Sequence, residues 1–242
     1  MSTKHRHHHN TIDLTCSHIL CKVDDIRTAV ADFAAAGFTV TWGSTPAKAH
    51  NALIWFESGP FIELFELPRR FGLLRLPFGL AYGAPAGARL ARWAAPGEGW
   101  RDVALETEET DLVGAHLALQ ETGIPGSRVM KGRRITPDGT RVRYQFLAPR
   151  PHLPFVVSAY DPPQRPATVT HPNGAHSITR VRFDVAERDR KAFDTLAGAD
   201  PWLAAEPAAR TAVRSVELAG LTGEIDPATV HGAVFERSPA CS

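Results

Sequence analysis

Residues 15–42 read TCSHILCKVDDIRTAVADFAAAGFTVTW. Thr15 to Val23 is a short apolar run rich in strand formers. Asp24 and Asp25 follow as helix N-cap candidates. Ile26, Val30 and Phe33 then recur at helical spacing, with Ala29 and Ala34 beside them, until Gly37 ends the helix. Phe38 to Trp42 is a second strand. Working outward, Ala52 to Phe56 and Phe61 to Leu67 are a third and fourth, joined by a turn at Ser58-Gly59-Pro60. The order is β-α-β-β-β.

The same order returns downstream. Asp111, Leu112, Ala115, Gly123 and Ile124 repeat Asp25, Ile26, Ala29, Gly37 and Phe38 at a constant offset of 86 residues. Val103 to Thr107 supplies the strand before this second helix. Val129 to Ile135, a turn at Pro137-Asp138-Gly139, Arg141 to Leu147 and Phe155 to Tyr160 complete the unit. A partial third copy is expected from a strand at Ser177 to Val185, a helix at Glu187 to Leu196, and strands at Val213 to Leu218 and Val230 to Phe235. The chain thus divides into a His-rich tail (1–10), a first module (11–67), a Gly/Pro-rich connector (68–99), a second module (100–160), a second connector (161–174) and a C-terminal partial module (175–242). The expected class is α+β, with the tandem modules forming one curved mixed sheet.

Composition bounds the function. The chain has 242 residues, 43% hydrophobic and 22% charged, which is ordinary for a folded domain. With 27 basic and 26 acidic residues, no nucleic-acid partner is expected. No apolar run approaches the roughly 20 residues that span a bilayer, so no membrane partner is expected either. The opening MSTKHRHHHN lacks the apolar core of a secretory signal, which points to the cytoplasm. Cys16 and Cys21 lie five apart on one strand, so regular alternation puts them on opposite faces as unpaired thiols. There is no Gly-x-Ser-x-Gly elbow, phosphate loop or His-Glu-x-x-His motif, and no nucleotide cofactor is expected.

The chemistry-bearing residues fall on the strands. Regular alternation places His18 on one face with Cys16 and Leu20, and Glu63 between Phe61 and Phe65. A buried carboxylate has to be paired, protonated or bound to metal. A His and a Glu on one sheet face suit a divalent ion, or hydrogen-bond each other. His50 is a candidate acid–base or third ligand, and Asn51 a hydrogen-bond donor to a ligand oxygen. His171, His176 and His231 are further candidates from segments that could close over the site, with Asn173 in the His171 turn. Arg141 and Arg143 share a face, and Arg134 and Arg143 are the candidates for holding a carboxylate or phosphate.

In order and spacing, these segments resemble the vicinal oxygen chelate superfamily, and within it the glyoxalase-like domain group. The residues carrying the resemblance are His18-Ile-Leu-Cys-Lys-Val with Asp25-Ile26, His50-Asn51-Ala52-Leu53, Phe61-Ile62-Glu63-Leu64, Pro137-Asp138-Gly139, Leu153-Pro154-Phe155 and His171-Pro172-Asn173-Gly174-Ala175. The resemblance runs from about residue 12 to 185. It implies paired modules curved around a divalent ion (iron, manganese, nickel or zinc), with ligands from the first and fourth strand of each module. His18 and Glu63 stand at those positions in the first module. In the second, the offset of 86 leads to Ala104, and Phe155-Val156-Val157-Ser158 holds no carboxylate. Glyoxalase I activity is therefore disfavoured.

Three functions remain open. One is a metal-dependent isomerase, lyase or dioxygenase acting on a small oxygenated molecule. The others are a metal-free binding protein of the bleomycin-resistance kind and a metal-free acid–base enzyme using Glu63 or His50. The resemblance also implies that a homodimer is an open state.

Overall fold

A computed structural model describes residues 13–239. The His-rich tail lies outside the described residues, as does Cys241. The first module contains β1 (Thr15–Val23), α1 (Ile26–Ala35), β2 (Thr41–Trp42), β3 (Asn51–Ile54) and β4 (Phe61–Glu66). The Asp25 side chain caps α1 by accepting from Thr28 N, as the sequence predicts. After the connector come β5 (Gly99–Glu106), α4 (Val113–Glu121), β6 (Met130–Ile135), β7 (Arg141–Leu147) and β8 (Phe155–Val157).

All eight strands belong to one sheet in the order β2-β3-β4-β1-β5-β8-β7-β6. In each module the first strand runs parallel to the fourth: β1 beside β4, and β5 beside β8. The first strands meet antiparallel at the centre. The sheet is thus two copies of one pattern related by a local two-fold, and the register makes the relation residue-specific. His18 pairs with Ala104 across the centre, Phe61 lies beside His18, and Phe155 lies beside Ala104. Two residues further along the fourth strands, Glu63 corresponds to Val157.

The central strand departs from regular alternation. The β1–β5 register slips between Cys16 and His18, leaving Ser17 as a bulge residue. His18 and Leu20 still share the inner face, but Cys16 moves to the outer one. Cys16 and Cys21 consequently join the same outer core rather than facing opposite ways. Both thiols are free and buried, and burial pushes the Cys21 thiol up to about 12.

The connector contains more helix than its Gly and Pro content suggests. Arg69–Leu74 forms a 3-10 turn that leads into α2 (Arg75–Tyr82), which packs as a hairpin on α3 (Ala84–Ala94). Pro85 sits in the first turn of α3, where a missing N–H costs nothing. Gly87 lets the two helices touch, because a Cβ there would lie 2.3 Å from the Arg75 carbonyl oxygen. These residues read as chain breakers but serve as contact points.

The C-terminal unit has β9 (Ser177–Val185), α5 (Glu187–Ala197), β10 (Leu203–Pro207), β11 (Ala212–Ala219) and β12 (Phe235–Arg237). It repeats the β-α-β-β-β element order in a separate sheet, β10-β9-β11-β12. Its first strand pairs parallel with its second strand, not its fourth. Val230 lies in a short 3-10 turn instead of the last strand. Ile178, Val181, Val216 and Leu218 of this sheet share one core with Ile19, Val103 and Leu105 of the large sheet and with Ile26, Phe33 and Leu112 around the helices. The outer face of the large sheet is thereby covered, and its inner face lines a cleft.

Candidate functional site

The cleft on the inner face has a volume of about 700 Å³ including its mouth. Its walls are apolar, with Leu20, Phe65, Phe155 and Val157 from the central strands and Trp93 from α3. Its polar lining is His18, Asn51, Glu63, Arg134, Tyr144 and Tyr160.

His18 and Glu63 meet there. His18 Nε2 lies 3.4 Å from Glu63 Oε2. The imidazole is stacked on Phe61 with ring centres 4.7 Å apart and meets Phe155 edge-on. Enclosure, with the Arg134 guanidinium as a second cause, lowers the pKa of His18 to about 3, so the ring is neutral at pH 7. Its Nδ1 is 3.1 Å from Ser17 Oγ, and Ser17 donates its own proton to Glu106 Oε2 at 2.6 Å. With the serine proton committed, Nδ1–H is the donor and Nε2 turns its lone pair toward Glu63. That tautomer favours a proton on Glu63. Burial acts the same way, raising the Glu63 carboxyl, while the Asn51 hydrogen bond and the Arg134 charge oppose it.

Asn51 Nδ2 donates to Glu63 Oε1 at 2.8 Å. Asn51 occupies space that only a glycine at 43 leaves free, since a Cβ on Gly43 would lie 2.0 Å from Asn51 Oδ1. Gly43→Ala is therefore expected to turn the Asn51 amide away from Glu63 and raise the Glu63 pKa further, with little change in melting temperature. Carbon-13 titration of the Glu63 carboxyl checks this, and an unchanged curve would contradict the geometry. Arg134 bridges the cleft mouth, with Nη1 3.4 Å from Gly43 O and Nη2 3.3 Å from Gln164 Oε1.

Of the residues singled out in the sequence, His18, Asn51, Glu63 and Arg134 line this cleft. The others lie elsewhere. His50 is exposed, one residue before β3, and is not part of the cleft lining that its neighbour Asn51 joins. Arg143 is 73% exposed and 3.9 Å from Asp161, because alternation along β7 turns Tyr144 and Phe146 inward and Arg143 outward. His171 is buried away from the cleft. Its Nδ1 accepts from Thr39 N and its Nε2 donates to Trp55 O, both at 2.9 Å, so the ring pins the second connector to the first module. Asn173 donates to Ala36 O at the end of α1 and accepts from Ala175 N, which makes it a turn and capping residue. His231 sits between Glu98 and Asp32 on another part of the surface.

Sequence reasoning missed Tyr144 and Tyr160, and reached Trp93 only as one of five tryptophans (with Trp42, Trp55, Trp100 and Trp202) of which one or two could line a pocket. The alternation Val142-Tyr144-Phe146 was a usable signal for Tyr144. Tyr160 lies beyond β8 and had no local signal, and nothing local set Trp93 apart from the other tryptophans, because it reaches the cleft only through the helical hairpin.

A two-fold pair of β-α-β-β-β modules in one sheet around an inner cleft is the architecture that the resemblance in the sequence implies. The chain belongs to the glyoxalase-like domain family, whose model matches residues 16–197. Among solved structures it is similar to a hypothetical protein from Staphylococcus aureus, at 14% identity and a TM-score of 0.64, covering 93% of this chain and 99% of that one. It also resembles the Mn(II)-bound glyoxalase from Novosphingobium aromaticivorans, at 12% identity and a TM-score of 0.49, covering 85% of this chain and 65% of that one. An extradiol ring-cleaving dioxygenase from B. fuscum matches at 11% identity and a TM-score of 0.43, covering 85% of this chain and 57% of that one. A search of curated proteins finds no match.

The resemblance implies a divalent ion, and the donor set here does not suit one. Among the described residues no group of three or more His, Cys, Asp or Glu converges. The two-fold mates of His18 and Glu63 are Ala104 and Val157, which donate nothing. An ion at His18 and Glu63 would have two protein donors in contact with each other and the Arg134 guanidinium close enough to oppose positive charge. None of the described helices is long and apolar enough to cross a membrane.

Proposed function

We propose that this protein is an enzyme that moves a proton on a small oxygenated molecule, with Glu63 as the acid–base group and no resident metal. The observation that carries this reading is one ionisable carboxyl, raised by burial, placed in an apolar cleft beside one guanidinium. A carboxyl raised toward neutrality both gives and takes protons efficiently. As a carboxylate, Glu63 would take the proton from a carbon next to a carbonyl. The electron pair of that C–H bond would pass to the carbonyl oxygen, whose charge Arg134 would stabilise. As an acid, Glu63 would return the proton. His18 Nε2 would accept from Glu63 in its acid form and hold the protonated carboxyl in place, and the Phe and Trp walls would exclude water from it. The substrate class that suits this lining is a small carboxylic or keto acid with an apolar body.

The test is hydrogen exchange on a panel of such acids in deuterated buffer, followed by proton NMR. The wild type is expected to catalyse exchange at the carbon next to the carbonyl, faster as pH rises through the raised Glu63 pKa. Glu63→Gln is expected to abolish exchange while retaining ligand binding. Exchange undiminished in Glu63→Gln would remove Glu63 from the chemistry. Binding with no exchange in either protein would favour a second reading, a metal-free binding protein, which the donor-free positions Ala104 and Val157 also support.

A further inference from the structure

The connector hairpin wears part of its apolar surface on the outside. Leu73, Leu76 and Leu80 follow one another a helical turn apart and are 84%, 75% and 84% exposed. Leu74 and Tyr82 extend the same exposed segment. Scattered surface leucines are ordinary, but a run of them along one helical face marks a binding surface.

The charge carried by this segment is of one sign, with Asp24 of the first module as a neighbouring carboxylate near Arg69. No Asp or Glu occurs between Glu66 and Glu98, and five arginines do. Arg89 and Arg92 bond inward, to Asp102 and to backbone carbonyls. Arg69, Arg70 and Arg75 are left exposed beside the leucines.

We infer that the face formed by Arg69–Tyr82 docks the protein on an anionic lipid bilayer. A helical face of leucines flanked by arginines buries its side chains at the headgroup boundary while the guanidiniums meet lipid phosphates and carboxylates. The expectation of no membrane partner rested on the length needed to span a bilayer, and lying on one requires only a face. A second copy of the chain fits the surface less well. A two-fold contact would bring the three arginines of each copy together with no acidic residue of the segment to offset them. The location also suits an apolar ligand arriving from lipid: Phe78 of α2 and Phe146 of β7 pack against the same small cluster of Ala86, Met130 and Ala148, and Phe146 lines the cleft. The inference is independent of the reaction proposed for Glu63.

Cosedimentation of the full chain with phosphatidylcholine vesicles, with and without phosphatidylserine, tests it. Binding is expected only to the phosphatidylserine vesicles, and to weaken as salt rises. Replacing Arg69, Arg70 and Arg75 together by Ser is expected to lower partitioning roughly 100-fold, and replacing Leu73, Leu76 and Leu80 by Ser to lower it at least as far. Circular dichroism is expected to be unchanged in both variants, because all six side chains are exposed. Absence of binding to the anionic vesicles, equal binding to both vesicle types, or binding that survives either replacement would each overturn the inference. So would a dimer in sedimentation velocity that the leucine replacement dissolves while the wild type ignores vesicles.

Discussion

Asp102→Ala is expected to cost about 3–5 kcal/mol of stability, read as a lower urea midpoint. Asp102 and Arg89 are both essentially enclosed, at 1% and 2% side-chain exposure. The Asp102 carboxylate accepts from Arg89 Nη1 and from Trp93 Nε1 at 2.7 Å, and Arg92 Nη1 lies 3.3 Å away. Arg89 also donates to the carbonyls of Arg150 and Leu153, at 2.9 and 2.7 Å. Removing the carboxylate leaves a buried guanidinium without its counter-charge, and Arg89 Nε already has no partner. The paired change Asp102→Leu with Arg89→Met is expected to recover most of the loss, because it removes both charges together. A loss below about 1 kcal/mol in the single variant would show that Arg89 escapes to water. The effect reaches the cleft, because Trp93 forms one of its walls and loses its hydrogen bond with the carboxylate.

Acid sensitivity should concentrate at His18. In the unfolded chain this residue protonates near pH 6.5, and in the folded protein only near 3. Its folded-state pKa is depressed, so its contribution is fully present above about 6.5 and is lost as pH falls toward about 3. The gap corresponds to roughly 5 kcal/mol. Glu63 and Glu106 have raised pKa values and act in the opposite sense, holding protons in the folded state that the unfolded chain has released. Comparison with His18→Gln isolates the histidine. The wild type is expected to lose stability relative to the variant between pH 6.5 and 4, measured by urea unfolding at each pH. Parallel curves would mean that water reaches the imidazole.

The fold was legible wherever a repeat or a period carried it. The 86-residue offset between Asp25 and Asp111 identified the duplication, and the structure pairs His18 with Ala104 at the same offset. Helix α1, with its Asp25 cap, followed from local rules alone. The connector was less legible, because Gly79, Pro85 and Gly87 punctuate a sequence as breakers whether they end helices or let two helices touch. The site divided along a similar line. His18, Asn51, Glu63 and Arg134 come from strands whose alternation aims them at one cleft. His171 and Asn173 were drawn by a turn motif, and the turn's work is mechanical. The Arg89–Asp102 pair left no trace in the sequence, since its members lie on a helix and a strand that only tertiary packing brings together.

Ser17 has a consequence for how relatives are to be compared. One extra residue on the central strand separates two codes of constraint: after it, even positions look into the cleft, and before it they look into the core. An alignment anchored at Thr15 would match residues by count and give the first positions of β1 the wrong environment, whereas one anchored at His18 preserves it. Relatives without the extra residue would present a different side chain toward Glu106 while keeping the same His18–Glu63 geometry, so the two ends of this strand are free to diverge separately.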